Sequence, residues 1–476
     1  MSREGQLLKN TIIISFGTFL PKIITVITLP IITANLTKAE FGNYDLITTL
    51  VFLALPIATL QIQSAAFRFL IDYRGNKEKS KEIISTILLY ALVTSVISVI
   101  IISFALYKIS IGMRILIALY FLLDLLLAVI QQITRGLSKN KAYSISTIVS
   151  STVSLCGIIL TVQFMGQGLF GVMMSMNIAT MLGIAFLFFY LKLWNYIDIK
   201  SFKKSTLKEL LGYSWPMIPN NLSNWVLKLS DRLVITIVWG VEANAVYAVA
   251  NKIPNLLATV QSTFVYAWQE NASLSVNDKD VEDYYSGIFD TIFKMIVGIM
   301  ALLVATTPIM FKLLIQGDYN DAYYQMPILF IGMMFSSIAS VLGGVYVAHK
   351  KTLNVGISTI LAAVCNLVID IACVNFMGIT AGSVSTLISY LILTVYRMID
   401  VQKIQKIKYN YKTMIFWIVV LTGMCVICEL NIFWLNIANL AIGILVCFIS
   451  NRKIILNLPK TLKRKFKGVP KNENTA

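Results

Sequence analysis

Apolar runs of about 20 residues, separated by short polar punctuation, recur from Thr11 to Ile449. That is the length a helix needs to cross a bilayer core. The pattern predicts fourteen spans, near 11–35, 44–67, 83–107, 114–134, 143–165, 169–191, 213–239, 243–267, 285–314, 323–348, 353–375, 379–400, 412–428 and 431–450. Composition agrees: 57% of residues are hydrophobic and only 13% charged, where a soluble chain carries about 25% charged residues. The expected fold class is an all-α polytopic membrane protein.

The formal charge of +17 first suggests nucleic acid, but the distribution of the forty Lys and Arg residues excludes that reading. Thirty-one fall at the N-terminus, in loops after even-numbered spans or in the tail, and only Lys38, Lys108 and Arg114 follow odd-numbered ones. This asymmetry predicts that both termini are cytoplasmic. The acidic loop "ENASLSVNDKDVEDYYSG" does not alter the assignment, because acidic residues contribute little to topology. The basic tail reads as a topology signal that attracts anionic lipid, at about 1 kcal/mol per cation. The N-terminus lacks a signal-peptide cleavage pattern, so the first helix is expected to be retained.

Other chemistry is sparse. All six cysteines lie in apolar runs and read as packing residues, Cys425 and Cys428 included despite their CxxC spacing. His349 is the sole histidine, which excludes a His-based metal site, and no cofactor is expected. The loops after odd-numbered spans are very short. They hold no paired carboxylates, no nucleophile with its base and no phosphate-cradling glycine loop. The sequence therefore points to moving a substrate rather than transforming it, against a membrane polysaccharide polymerase.

Residues from Gly5 align without a gap on residues from Lys208 at an offset of 203, with Leu7-Leu8 on Leu210-Leu211 and Tyr44 on Tyr247. Span 1 then falls on span 7 and span 2 on span 8. The expected organisation is two parallel six-helix lobes, 1–195 and 211–402. They are joined by a cytoplasmic linker, 196–210, and followed by two further helices in 403–451 and the tail, 452–476. Parallel halves are a known transporter plan.

The segments "SFGTFLPKIITVITLPIITANLTKAEFGNYDL", "RGLSKNKAYS", "LKELLGYSWPMIPNNLSNWVLKLSDRLVI" and "NAVYAVANKIPNLL" carry a resemblance. The chain resembles the polysaccharide repeat-unit (Wzx-type, oligosaccharide) flippases of the multidrug/oligosaccharidyl-lipid/polysaccharide exporter superfamily. The resemblance implies movement of an undecaprenyl-pyrophosphate-linked oligosaccharide (an O-antigen, capsule or exopolysaccharide repeat unit) across the bacterial cytoplasmic membrane. Alternating access through a central cationic cavity is the implied mechanism. Membrane lipids, a polysaccharide polymerase and other assembly proteins are the implied partners. A lipid II-type flippase or a cation-coupled multidrug exporter is the nearest alternative.

Six cations lie inside spans: Lys22, Lys228, Arg232, Lys252, Lys294 and Lys312. Each costs about 2.5–3.5 kcal/mol at a helix centre unless something compensates. In the family plan spans 1, 2, 7 and 8 face one another, so cations on spans 1, 7 and 8 would line one cavity and receive a pyrophosphate. Lysine suits that task as a mobile point charge. The pyrophosphate-binding candidates are Lys22, Lys228, Arg232, Lys252, Lys294 and, at the inner end of span 2, Arg68. Local spacing offers blander readings. Asp231 can pair with Lys228, Asp290 can pair with Lys294, and Arg232 and Lys312 can snorkel. Of the acids in spans, Asp124, Asp370, Asp231 and Asp290 are the candidates for a coupling proton or sodium ion. Trp194, Trp239 and Trp268 are expected to anchor at the interface.

Overall fold

The computed structural model describes the backbone of residues 3–452 and their side chains, apart from residues 3–16 and ten positions between 256 and 270. The tail beyond Arg452 lies outside the described residues, as do the side chains of Leu7 and Leu8 in the repeat. The described chain is helical: α1 (Arg3–Asn35), α2 (Lys38–Thr59), α3 (Ile62–Asp72), α4 (Lys77–Ala105), α5 (Ile111–Gly136), α6 (Asn140–Ile158), α7 (Gly168–Leu191), α8 (Lys204–Ser214), α9 (Ile218–Trp239), α10 (Val241–Leu274), α11 (Val281–Leu314), α12 (Asn320–Ala348), α13 (Thr352–Met377), α14 (Thr380–Val401), α15 (Tyr411–Leu430) and α16 (Phe433–Ser450). Among the described residues, twelve helices are long and apolar enough to cross a membrane. The long helices α9 and α10 are not among them; their sequences carry the "KLSDR" cluster and "NKIPN".

Local chemistry sets the joints. Thr37 caps α2 in a reciprocal box: its Oγ1 accepts the Glu40 N–H at 3.2 Å, and the Thr37 N–H donates to Glu40 Oε2 at 3.0 Å. Predicted span 2 does not continue through position 67. It ends at Thr59, where Leu60 (φ 47°) and Gln61 (φ 59°) both adopt the left-handed conformation before α3 begins. Two such non-glycine residues cost about 1–2 kcal/mol each. Ser214 Oγ fixes the break by donating to Leu60 O at 2.8 Å. Gly240 (φ 88°) makes the one-residue joint between α9 and α10, a conformation that favours glycine.

The chain forms two compact units. Unit one runs from the N-terminus to Thr259 and adds Leu313–Ala322 and Thr359–Ser389. Its core packs α3, α4, α5 and α8 through Ile62, Leu70, Ile84, Ile87, Phe121, Leu125 and Leu210. Unit two comprises Val260–Lys312, Tyr323–Ser358 and the chain from Tyr390 onward. There Gly443 of α16 lies against Ala301 and Ala305 of α11, where an added Cβ would come within 2.6 Å of Ala305 Cβ. This is the small-residue contact by which helices approach in lipid.

Two expectations fail in unit two. Arg397, absent from the six cations assigned to spans although position 397 lies in predicted span 379–400, is buried in α14, donating from Nε to Ser358 Oγ at 3.0 Å and from Nη1 to Ala339 O at 2.8 Å. Trp268 is no interfacial anchor: its indole is buried and donates to Val341 O at 2.8 Å. Trp194 and Trp239 are exposed.

Candidate functional site

The site belongs to unit one and begins on one face of α2. Gly42, Asp45 and Thr49 recur at helical spacing, and each meets α9 or the start of α10. Asp45 is 1% exposed, and its Oδ1 accepts Arg232 Nη1 from α9 at 2.6 Å. The same oxygen draws Lys252 Nζ of α10 to 3.5 Å, and that ammonium also lies 5.7 Å from the centre of the Phe41 ring. One turn on, Trp225 Nε1 donates to Thr49 O at 3.1 Å. One turn back, Asn244 Nδ2 donates to Gly42 O at 3.3 Å. Arg232 therefore does not snorkel. It is buried and paired with an acid 187 residues away in sequence.

The pairing is incomplete. Asp45 Oδ2 and Arg232 Nε are buried without hydrogen-bond partners. One carboxylate stands against two cations, and more positive charge lies nearby. Lys22 of α1 is close enough to Lys228 and to Lys252 for their charges to repel. Lys22 and Lys228 are exposed, and among the described residues no carboxylate stands at ion-pair distance from either. Lys22, Lys228 and Lys252, expected to share one cavity, are thus brought together, with Arg232 beside them.

A second polar cluster lies on the other face of α9. Asp231 does not pair with Lys228. Its Oδ2 accepts Tyr247 OH and Thr386 Oγ1, each at 2.7 Å, while Oδ1 has no hydrogen bond. Asp370 of α13 is fully buried, feels the Asp231 charge, and has no hydrogen-bond partner on either oxygen. Ser230, Asn366 and Ser385 complete the ring: Ser230 Oγ donates to Asn366 Oδ1 at 3.2 Å and Asn366 Nδ2 donates to Ser385 Oγ at 3.3 Å. Gly382 makes room for it, since a Cβ there would sit 2.9 Å from the Tyr247 ring.

Residues 7–268 match the family model described as polysaccharide biosynthesis protein. The chain belongs to that family. The matched residues include α1, α2, α9 and most of α10, the helices that carry the cationic site. Comparison with curated proteins returns no match. Among solved structures, the chain is similar to the lipid II flippase MurJ in an inward closed conformation, with a TM-score of 0.71 at 17% identity, covering 94% of this chain and 99% of that one. It is also similar to an inward-facing multidrug resistance MATE family transporter of the MOP superfamily (TM-score 0.63, 14% identity, 82% and 95% covered). A MOP superfamily transporter from Pyrococcus furiosus matches with a TM-score of 0.58 at 13% identity, covering 83% and 95%. At these identities the likenesses show that the chain shares the fold of these proteins.

The remaining candidates of this family member stand on α3, α5 and α11. Lys294 pairs with Asp290 at 2.5 Å along α11 in unit two, as its spacing suggested. Arg68 on α3 pairs with Asp72, both half-exposed. Lys312 is exposed near the end of α11. Asp124 is half-buried on α5 beside Tyr120. The residue that sequence reasoning missed is Asp45. It was visible only as an acid inside a span, and its partners are distant in sequence.

Proposed function

We propose that this protein is a flippase that carries an undecaprenyl-pyrophosphate-linked oligosaccharide across the bacterial cytoplasmic membrane. The observation that supports it best is the surplus of positive charge in unit one, where Arg232 and Lys252 share the Asp45 carboxylate and Lys22 and Lys228 stand nearby with no carboxylate at ion-pair distance among the described residues. A pyrophosphate brings about two negative charges and would neutralise that surplus. A cationic drug would be repelled by it, which disfavours the exporter reading. Exposed Lys22 and Lys228 meet the anion first, and Lys252 follows once it leaves Asp45. On this reading both termini are cytoplasmic, α9 and α10 complete fourteen spans in two repeated lobes, and the joint at Gly240 faces outward. Asp231 and Asp370, with Asn366 and Thr386 as neutral oxygen donors, form the coupling site for a proton or a hard monovalent cation. Asp290, paired with Lys294, and Asp124 are left outside it.

The test is replacement of Lys228 and Lys252 by Ala, singly and together, followed by surface glycan analysis in cells and lipid-linked oligosaccharide flipping in proteoliposomes. Loss of both signals with normal membrane insertion is expected. Wild-type flipping by the double variant would refute the assignment. The fold shared with the lipid II flippase along 94% of this chain favours a second reading, in which the headgroup chemistry is the same and the sugar differs. Competition between lipid II and a polysaccharide repeat-unit lipid in the same assay separates them.

A further inference from the structure

We infer that Asp45 is the internal competitor of the substrate's phosphates and that its displacement opens the contact between α2 and the α9–α10 joint. The inference rests on the pyrophosphate reading above and adds to it a residue and an order of events.

Three observations carry it. First, Asp45 holds the site's cations through one oxygen only, with Arg232 Nη1 at 2.6 Å and Lys252 Nζ at 3.5 Å. Its other oxygen and Arg232 Nε lack partners although both are buried. A half-satisfied buried ion network is held by little net free energy and is readily exchanged for a better-charged partner. Second, the more weakly held cation, Lys252, is the one within reach of Lys22, itself exposed. An anion arriving at Lys22 and Lys228 therefore draws Lys252 first and Arg232 after it. Third, Asp45 shares its face of α2 with Gly42, three residues earlier, where the backbone stands so close to Val241 that an added Cβ would lie 1.9 Å from its carbonyl oxygen. The ion pair and the close contact thus fasten the same helix face to the same joint. When two phosphates replace one carboxylate, α2 loses its charge link to α9 and α10, and the contact at Gly42 is free to part.

The experiment uses full-length protein in nanodiscs with undecaprenyl pyrophosphate as the probe. Probe affinity is measured for wild type, Asp45→Asn, Asp45→Glu and Lys252→Ala. Spin labels at Asn35 and Glu242, both exposed, report the α1/α2–α10 separation in a background whose six native cysteines are replaced. Wild type should bind the probe and widen on binding. Asp45→Asn should bind about tenfold more tightly and be widened without probe. Asp45→Glu, which keeps the charge, should return toward wild type. A purely structural role for Asp45 predicts weaker binding by Asp45→Asn, so tighter binding discriminates. If wild type binds, Lys252→Ala does not, and Asp45→Asn binds no more tightly than wild type, the competitor role is overturned while the pyrophosphate reading stands. If wild type does not bind the probe, both fall.

Discussion

The close approach at Gly42 offers the sharpest test of how unit one is held. A Cβ at this position would lie 1.9 Å from Val241 O, 2.8 Å from its carbonyl carbon and 3.4 Å from its Cβ. Carbon and carbonyl oxygen settle no closer than about 3.3 Å in helix contacts, so Gly42→Ala demands a retreat of about 1.4 Å. Neither partner is a side-chain tip that could rotate away. The obstructing atoms are backbone at the first residue of α10, next to the Gly240 joint. Moving α2 back by that amount takes Asp45 Oδ1 from 2.6 Å to about 4 Å from Arg232 Nη1, beyond hydrogen-bond range. Overpacking of this kind costs about 1–3 kcal/mol. The cost falls only on the conformation in which α2 and the joint touch, so the population of any conformation in which they are apart rises by roughly 5- to 150-fold. Spin-label distances between Asn35 and Glu242 in nanodiscs measure this directly. Gly42→Ala should show a longer separation without substrate, and Gly42→Val longer still. The control is Gly287→Ala, where an added Cβ meets nothing within 4 Å and the distance should not change. A Gly42→Ala distribution that superimposes on wild type would refute the claim that this contact fastens α2.

Other consequences are independent of that contact. On the proposed coupling role, Asp231→Asn and Asp370→Asn should each abolish any dependence of flipping on proton or cation concentration and lower turnover at least tenfold. Undecaprenyl pyrophosphate binding should survive in both, as measured by ion titration of proteoliposome flux beside equilibrium binding. Gly382→Val should behave like Asp231→Asn, because its side chain would push the Tyr247 ring off the carboxylate. Arg397→Gln removes donors from buried acceptors and should destabilise unit two by about 1–3 kcal/mol, read as a lower midpoint in detergent thermal unfolding with substrate affinity unchanged. Lys294→Ala should alter neither binding nor flux, since its partly exposed pair with Asp290 along one helix is worth only about 0.2–0.5 kcal/mol.

What the sequence made legible follows from the range of the forces involved. Twelve spans could be read among the described residues because the bilayer acts on every residue of a run alike, so length and apolarity suffice. The gathering of Lys22, Lys228 and Lys252 was legible through the family resemblance, whose plan has spans 1, 7 and 8 facing one another. The break after Thr59 was not, because neither Leu60 nor Gln61 is a residue type that marks a left-handed turn. Ser214, far along the chain, helps hold them there. Of the two readings open for Asp231, the pair with Lys228 fails for a related reason. The i, i+3 rule offered it Lys228, but Tyr247 and Thr386 supply two hydroxyl donors without removing a lysine from the cationic cluster. Arg397 lies inside the predicted span 379–400, and its role was not legible because its acceptors, Ser358 Oγ and Ala339 O, are 39 and 58 residues away in sequence.

The two long helices that are not apolar enough to count as spans, α9 and α10, carry three of the four cations of the site. This follows from the energetics of insertion. A charged residue at a helix centre costs about 2.5–3.5 kcal/mol, and α9 and α10 together place Lys228, Asp231, Arg232 and Lys252 along their length. Such helices persist in a membrane protein only where neighbours satisfy them. Asp45 does so for Arg232 and Lys252, and Tyr247 and Thr386 do so for Asp231. Satisfaction is partial in both clusters, through the free oxygen of Asp45, the free oxygen of Asp231 and both oxygens of Asp370. A fold selected only for stability would replace these groups by apolar ones of similar volume, at no loss or at a gain. Their persistence at half-satisfaction is what a carrier requires, because a site that already met all its own charges would have nothing left with which to hold an anion or a coupling ion.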